Sequence, residues 1–381
     1  DKLAKLVSEA LDSTQSSGSL PAAGDVEIKI ERPKLAEHGD FSTSLPLALA
    51  RTMRMAPMQI AEAIAAEIPE HQMVGAVTHA APGFVNFTLS TEWLQSQVDA
   101  VRSAGDDYGS VNLGAGQSVQ VEFVSVNPTG PLHVGHARGA VIGSSLANVL
   151  EAAGYDVQRE YYVNDAGNQM RVFYDTLYSR YMQAAGHDVP LPDPAYPGEY
   201  LQDLAADLLK DLGDGAVSKE KSEAIAELAP ESLQRTLEQI RGVLELLGVS
   251  YDKWFHESTL LSTGRFDEVL KFLEDADLIL ERDGAKWFAA TKLGLEEDTV
   301  IIRSGEGGPT YFGTDIAYHH EKFLERRFDR VINVWGADHH GHVARMHALL
   351  KAFGLDPDRL TIILNQIVNF KNEGESLKFS K

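Results

Sequence analysis

The sequence predicts an α/β protein in which a small α/β domain precedes a larger domain built on a parallel β-sheet with a helical insertion. Two patterns support this prediction. A strand, a helix and a second strand follow one another between residues 119 and 163, and a long segment with apolar residues at helical spacing comes next. Because a strand–helix–strand unit joins parallel neighbours by a right-handed crossover, the sheet is expected to be parallel.

The small domain is expected over residues 1–106. Alternation of apolar and polar residues predicts strands, and apolar residues on one stripe behind Pro57 predict a helix. The expected elements are two strands and two helices, at residues 26–32, 84–89, 45–54 and 58–68. The stretch at residues 104–107 contains Gly and two Asp and predicts a linker.

The larger domain is expected over residues 107–381. It begins with a strand at 119–124, a helix at 136–153 that Gly154 ends, and a strand at 157–163. A helical insertion is expected over about 170–260. The sheet is then expected to resume with three strands, at residues 299–303, 331–335 and 360–364.

Composition limits the possible classes of function. The 381 residues are 44% hydrophobic and 24% charged, as in globular proteins, and no apolar run approaches the ~20 residues of a membrane span. Cys is absent, which excludes disulfides and Cys-ligated zinc and fits an expected cytoplasmic location. The net charge of -22 argues against a nucleic-acid partner, although an acidic protein can still carry a local basic track.

The most informative segment is His133-Val134-Gly135-His136, which follows the first strand of the larger domain and begins its helix. A helix N-terminus presents unpaired N–H groups and partial positive charge, which suit phosphate. Gly135 would let a flat base approach the backbone, and His133 and His136 would donate to phosphoryl oxygens. The alternative is two surface His in a turn, which the strand–turn–helix context disfavours.

Residues 121–138, VEFVSVNPTGPLHVGHAR, resemble the class I aminoacyl-tRNA synthetases and the arginyl family in particular. Further blocks resemble that family: YYVNDAGNQ at 161–169, RSGEGGPTYFGTDIAY at 303–318, and, near the N-terminus, GDF at 39–41 and PGFVNF at 82–87. The resemblance runs nearly from end to end. It implies a class I, Rossmann-like catalytic domain preceded by an additional N-terminal domain that contacts tRNA.

The resemblance implies an L-arginine site. Glu122 and Asp315 would bind the guanidinium, whose planar fork of donors suits carboxylates, with Tyr311 beside it and Asn127 holding the backbone end of the substrate. Glu122 also lies in a β-rich run, where a buried charge without a partner is costly. This position independently indicates a cationic ligand. The alternative is that Glu122 points outward. Thr314 departs from the family, which often has a basic residue before the Asp.

The resemblance also implies an ATP site. Gly336 and Asp338 follow the strand at 331–335, at a carboxyl end where ligands bind in open α/β sheets, and would contact the ribose. Residues 378–381, KFSK, resemble the mobile second motif of class I enzymes, whose Lys residues would balance charge on the leaving pyrophosphate. Magnesium is expected with the ATP, and no protein metal site is expected. The implied catalytic and ATP-binding residues are His133, Gly135, His136, Gly336, Asp338, Lys378 and Lys381.

Three other functions stay open. One is a class I synthetase for another amino acid, or an adenylyltransferase that shares the HxGH motif; Glu122 with Asp315 favours arginine over both. A second is a binding module without turnover. The third is a metal phosphohydrolase built on Asp338 and the nearby His residues, for which no metal-ligand spacing on one helix face is evident. His319 and His320 are expected at the surface.

The expected partners are L-arginine, ATP and an arginine-accepting tRNA, bound by a monomer that makes no membrane contact. The chain starts on Asp1 rather than Met and ends inside the 378–381 motif. We therefore expect a piece of a longer protein, in which the helical C-terminal anticodon-binding domain of the family is absent.

Overall fold

The computed structural model describes residues 2–24, 26–305, 308–366, 368, 370–372 and 375–377. The chain divides into two compact units, Asp1–Tyr108 and Gly109–Lys381. In the described part of the chain, no helix is both long enough and apolar enough to cross a membrane.

The first unit packs helices on a three-stranded antiparallel sheet with the strand order β1-β3-β2. Its core consists of apolar side chains from the helices and from β3, such as Val7, Leu49, Ile60 and Phe87, which are fully buried. The elements of this unit are α1 (Lys2–Ser16), β1 (Phe41–Thr43), α2 (Leu45–Met53), α3 (Pro57–Glu67), β2 (Val74–Ala80), β3 (Phe84–Leu89) and α4 (Thr91–Ala104).

Two predicted helices and the strand at 84–89 are confirmed as α2, α3 and β3. The predicted strand at 26–32 is wrong. That segment is extended, but only Glu31 forms a β-bridge, to Ser42. Ile28 and Ile30 pack partly against the core, so the alternation reports burial of one side of an extended segment rather than membership of a sheet.

The second unit is built on a five-stranded parallel sheet with the strand order β11-β10-β4-β5-β6. A three-stranded antiparallel sheet, β7-β8-β9, lies in the same unit. The elements of the second unit are β4 (Ser118–Phe123), α5 (Val134–Ala152), β5 (Asp156–Val163), α6 (Gly167–Ala184), α7 (Tyr200–Leu212), α8 (Lys221–Leu246), β6 (Lys253–His256), α9 (Ser258–Ser262), α10 (Arg265–Asp275), β7 (Ile279–Arg282), β8 (Ala285–Phe288), β9 (Thr299–Ile302), α11 (Tyr311–His320), β10 (Arg330–Gly336), α12 (Val343–Ala352), β11 (Leu360–Asn365), β12 (Phe370–Asn372) and β13 (Glu375–Leu377).

The parallel sheet and its strand–helix–strand unit β4-α5-β5 are confirmed. The expected return of the sheet at 299–303 is wrong, because β9 pairs with β8 in the antiparallel sheet. The strand that joins the parallel sheet is instead β6, which lies inside the range expected to be helical. The inserted helices α6, α7 and α8 therefore form the crossover between β5 and β6.

All five parallel strands end at the same edge of the sheet, which is called here the carboxyl edge. The loop that leads from β4 into α5 starts there, as do the segments after β5, β6 and β10. In open α/β folds this edge is where ligands bind. The candidate site follows from the side chains that these segments carry.

Candidate active site

His133 and His136 begin α5 with a reciprocal cap. His133 Nδ1 accepts a hydrogen bond from the Gly135 amide at 3.1 Å, and His136 Nδ1 accepts one from the His133 amide at 3.2 Å. The two rings stack with their centroids 3.7 Å apart. Because each ring accepts at Nδ1, its neutral form carries the proton on Nε2. Each imidazole thus holds an N–H donor in a fixed orientation at the start of the helix.

Gly135 is required by this cap. A Cβ at position 135 would lie 2.8 Å from Cε1 and 2.9 Å from Nδ1 of His133. Both distances are shorter than a Cβ tolerates, so any other residue would displace the His133 ring. Gly135 was expected to let a base approach the backbone; in the structure it also lets the His133 imidazole approach.

The segment after β10 brings Gly336 and Asp338 to the carboxyl edge. Gly336 ends the strand, and a side chain there would collide with the Asp338 carboxylate. The Asp338 side chain is 68% exposed and lies 3.7 Å from His339 Nε2. On the neighbouring strand, Asn365 Nδ2 donates to the Trp335 carbonyl at 2.9 Å. Asp338 is thus an accessible acceptor on a fixed turn.

Three carboxyl groups form a cluster in the second unit, and it consists of Glu122, Glu257 and Asp315. Glu122 lies on β4 and is 5% exposed, and Glu257 directly follows β6 and is 4% exposed. Asp315 lies in the first half of α11. Burial, together with the Glu122 and Glu257 carboxylates, raises the pKa of Asp315 to about 8. Carboxyl groups buried close together in this way form a site that favours a cation.

Glu257 is the member of the carboxyl cluster that the sequence did not indicate. Its amide donates to the Val163 carbonyl at 3.0 Å, which fixes it to the end of β5. Burial and the nearby Asp165 raise the pKa of Glu257, and the hydroxyls of Thr314 and Tyr162 partly offset the rise. Among the described residues, Glu257 Oε2 is buried without a hydrogen-bond partner. A buried acceptor of this kind is costly unless a ligand satisfies it.

Tyr311 stands close to this cluster. It begins α11 and is 47% exposed, so its ring is accessible. Burial and the charge of Glu257 both raise the pKa of Tyr311. The expected placement of Tyr311 beside a carboxylate site is therefore compatible with the structure, and Glu257 is the carboxylate that influences it.

Glu122 differs from the expectation. Its Oε2 accepts a hydrogen bond of 2.6 Å from Lys322 Nζ, and Lys322 is completely buried. The charge on β4 therefore has a partner within the chain, so its burial alone did not require a cationic ligand. Among the described residues, Glu122 Oε1 accepts no hydrogen bond.

Asn127 lies in the loop after β4, where its side-chain amide donates to the Gln169 side chain on α6. The loop is tied to β5, because Tyr161 Oη donates to the Val126 carbonyl at 2.8 Å and Ser125 Oγ accepts from the Tyr162 amide at 3.1 Å. Ser125 has a φ of 44°, in the left-handed region. These contacts fix Asn127 at the carboxyl edge.

Other expectations have different outcomes. His319 is 1% exposed, so its predicted surface position is wrong: its Nδ1 donates to the Asp315 carbonyl at 2.8 Å and its Nε2 lies 2.9 Å from Asn333 Nδ2. Lys378 and Lys381 lie outside the described residues. Within the described residues, no group of three or more His, Cys, Asp or Glu could hold a metal ion.

The parallel sheet, with its HxGH turn at the start of a helix, defines a class I aminoacyl-tRNA synthetase catalytic domain, and residues 97–371 match the family described as tRNA synthetases class I (R), catalytic domain. Residues 1–89 match the family described as arginyl tRNA synthetase N terminal domain. The chain belongs to the arginyl-tRNA synthetase family.

Individual relatives agree with this assignment. An arginine–tRNA ligase from Dehalococcoides mccartyi is 46% identical over 98% of this chain and 67% of that protein. One from Heliobacterium modesticaldum is 45% identical over 100% of this chain and 67% of its own length. The structure of Thermus thermophilus arginyl-tRNA synthetase aligns with a TM-score of 0.60 at 24% identity, over 96% of this chain and 65% of that one, and shows the same fold. The chain thus spans about two thirds of the length of these relatives.

Proposed function

We propose that the chain activates L-arginine with ATP and transfers the arginyl group to the 3′ end of an arginine-accepting tRNA. The observation that carries this proposal is the carboxyl cluster of Glu122, Glu257 and Asp315. The pKa of Asp315 is raised to about 8, and one Glu257 oxygen is buried without a hydrogen-bond partner in the part of the chain that the structure describes. A guanidinium would satisfy both features, because it offers several donors and a delocalised positive charge.

In this proposal the guanidinium binds between Glu257 and Asp315, with Glu122 completing the site and Tyr311 packing beside it. Asn127 would hold the backbone end of arginine. Asp315 would lose its proton as arginine binds, because a carboxylate facing a cation is more stable ionised.

ATP would bind at the start of α5. His133 and His136 and the first amides of the helix would contact phosphoryl oxygens, with Gly135 keeping the approach open. Gly336 and Asp338 would contact the ribose. Lys378 and Lys381 would balance charge on pyrophosphate, and magnesium would arrive as part of the Mg–ATP substrate.

The first step joins an arginine carboxylate oxygen to the α-phosphorus of ATP and breaks the bond from that phosphorus to pyrophosphate. In the second step, the 2′-hydroxyl of the terminal tRNA ribose attacks the arginyl carbonyl. AMP leaves with the bonding electrons, and the proton of the hydroxyl passes to solvent. No protein nucleophile is needed, so positioning and charge stabilisation would supply most of the rate.

The remaining assignments are part of the same proposal. The first unit would contact the tRNA, since it matches the N-terminal domain of the family. We also propose that the protein is cytoplasmic, because the reaction serves protein synthesis. We further propose that it is a monomer. Sedimentation velocity of the chain, with and without tRNA, tests the monomer.

The deciding experiment is exchange of labelled pyrophosphate into ATP, measured with arginine, lysine or glutamate, each with and without arginine-accepting tRNA. Exchange with arginine alone is expected, and Asp315→Asn should abolish it while the exposed Glu245→Gln leaves it unchanged. Exchange with lysine or glutamate instead would indicate a different class I synthetase. No exchange with any of the three, in the presence of tRNA, would contradict the proposal and favour the binding module. Activity against a phosphoester that depends on added metal would favour the phosphohydrolase.

A further inference from the structure

A row of polar residues crosses the buried parallel sheet next to the carboxyl cluster. Asn333 on β10 pairs in register with Glu122 on β4, Glu122 with Glu160 on β5, and Glu160 with Lys253 on β6. Residues that pair in this way lie side by side on one face of a sheet. Asn333, Glu122 and Glu160 are all at most 5% exposed. Such a row is unusual in a parallel sheet, whose strands are normally apolar on both faces.

A π-helical turn, Glu321–Glu325, follows α11 and faces this row. Its Lys322 reaches Glu122, while Arg326, directly after the turn, donates to both Glu160 oxygens and to Gln158. π-Helical turns are rare and are frequently found at functional sites. The turn therefore places one cation opposite each buried Glu of the sheet.

The Lys322 ammonium is fixed in this position. Its Nζ donates to Glu122 Oε2 at 2.6 Å and to Asn333 Oδ1 at 3.1 Å, and it lies 4.0 Å from the centre of the Tyr318 ring. Two hydrogen bonds and a ring face occupy the three donors of an ammonium.

A chain of hydrogen bonds then connects Glu122 to the helix that carries Asp315. Lys322 bonds to Asn333, Asn333 to His319, and His319 Nδ1 donates to the Asp315 carbonyl. Burial and the nearby Lys322 hold the pKa of His319 well below its usual value, so His319 is neutral and serves as a connector. Lys322 thus contacts one carboxylate of the cluster and supports the backbone of another.

We propose that Lys322 is a positioning residue that sets the charge of the arginine site. It fixes Glu122 through Oε2 and leaves Glu122 Oε1 for the substrate. It also offsets the negative charge of the carboxyl cluster, so that Asp315 releases its proton when a guanidinium binds. This inference rests on the proposed function. It assigns control of the protonation of the site to a lysine that does not itself touch the substrate.

Electrostatics set the direction of the effect. Burial, Glu122 and Glu257 raise the pKa of Asp315, and the positive charge of Lys322 partly offsets this rise, giving about 8. Removing Lys322 would therefore raise the pKa of Asp315 further. The charged or titratable groups around these two residues are Glu122, Glu160, Glu257, Arg326, Tyr162, Tyr318 and His319.

The test is calorimetric titration of the full chain with L-arginine between pH 6 and 9, in buffers of different ionisation enthalpy, which gives the protons released per arginine bound. At pH 8 the wild-type chain should release about half a proton and Lys322→Met nearly one. At pH 7 the arginine Kd of Lys322→Met should be about tenfold weaker, and the difference should shrink towards pH 9. Lys253→Met removes the lysine that belongs to the row itself and should behave as the wild type.

The double variant Glu122→Gln/Lys322→Met removes the ion pair together, which avoids a buried unpaired charge. It should fold and release protons as the wild type does, although with weaker binding. Lys322→Met with the wild-type pH profile, or a double variant that keeps the proton release of Lys322→Met, would overturn the proposal. If Lys322→Met does not fold, a double variant that releases nearly one proton at pH 8, instead of the wild-type half proton, still overturns the proposal. A wild-type chain that binds no arginine would instead contradict the proposed function.

Discussion

The Asp165 carboxylate accepts two hydrogen bonds from Ser258, one from the backbone amide at 2.8 Å and one from the hydroxyl at 2.9 Å. It also lies 2.7 Å from His256 Nδ1. These contacts attach the segment after β6 to the segment after β5. Because Glu257 lies between His256 and Ser258, Asp165 fixes the backbone that presents Glu257 to the carboxyl cluster.

We expect Asp165→Asn to weaken arginine binding and to lower the free energy of unfolding by about 1–3 kcal/mol. Burial opposes ionisation of Asp165, but the hydrogen bonds from His256 and Ser258 prevail and lower its pKa. A carboxyl group with a lowered pKa stabilises the fold at pH values above its pKa in the unfolded chain, which is near 3.9. This stabilisation is lost as the pH falls through its pKa in the folded chain. Urea unfolding at pH 7 and below about pH 3 measures the difference, because the stabilisation is lost only below the unfolded-state pKa.

The matched control for that variant is Asp298→Asn. Asp298 accepts the same pair of bonds from Thr291, at 3.0 and 2.8 Å, and pairs with Arg282 at 2.6 Å. The Asp298→Asn variant should lower the free energy of unfolding without changing the Kd for arginine. Equal loss of arginine binding in both variants would show that Asp165 acts through general stability alone.

Asp315→Asn should stabilise the fold more at pH 8.5 than at pH 5.5. The folded-state pKa of Asp315, about 8, lies above its unfolded value, so its contribution is fully present below about pH 4 and is lost as the pH rises through 8. An amide has no such penalty. The gain at pH 8.5 relative to pH 5.5 should be about 1 kcal/mol or more, measured by urea unfolding. A difference that does not depend on pH would be inconsistent with a raised pKa at this position.

Glu257→Gln should raise the KM for arginine about 10- to 100-fold, which corresponds to the loss of one charge-assisted hydrogen bond, while the KM for ATP stays near the wild-type value. The variant should be at least as stable as the wild type, because Glu257 Oε2 has no partner among the described residues. Pyrophosphate exchange at varied arginine and ATP provides both constants. An unchanged KM for arginine would remove Glu257 from the site.

Gly135→Ala should slow adenylate formation, because the added Cβ would lie 2.8 Å from the His133 ring and displace it from its cap. Loss of a cap costs about 1 kcal/mol of stability. Gly242→Ala is the control: Gly242 lies within α8, and an added Cβ would meet no described atom within 4 Å. It should raise stability by about 0.5–1 kcal/mol and leave the rate unchanged. If Gly135→Ala kept the full rate, the His133 cap would not be needed for catalysis.

Features with a local cause could be predicted from the sequence. The turn from β4 into α5, with its His pair, follows from a strand, a helix start and a glycine within twenty residues. The strand at 299–303 was predicted as an element, but its sheet was not, because only contacts distant in sequence decide whether β9 joins β8 or the parallel sheet.

The parts of the site that the sequence did not indicate depend on tertiary contacts. Glu257 follows a strand of four residues that lies within a segment expected to be helical. Lys322 looks in the sequence like any solvated helix lysine, and its burial results from a π turn that no residue pattern signals. The sequence identified Glu122 as a buried charge but could not show that its counter-ion lies 200 positions away.

The position of β4 in the sheet has a consequence for how this chain is made. β4 bonds to β5, its near neighbour in sequence, and to β10, whose approach brings Ser118 to Asp329, 211 positions later. During translation, one edge of β4 stays unpaired until β10 has emerged from the ribosome. An unpaired strand edge is prone to association with other chains. We therefore expect the first unit to fold during synthesis, and the catalytic sheet to form late and to benefit most from chaperones.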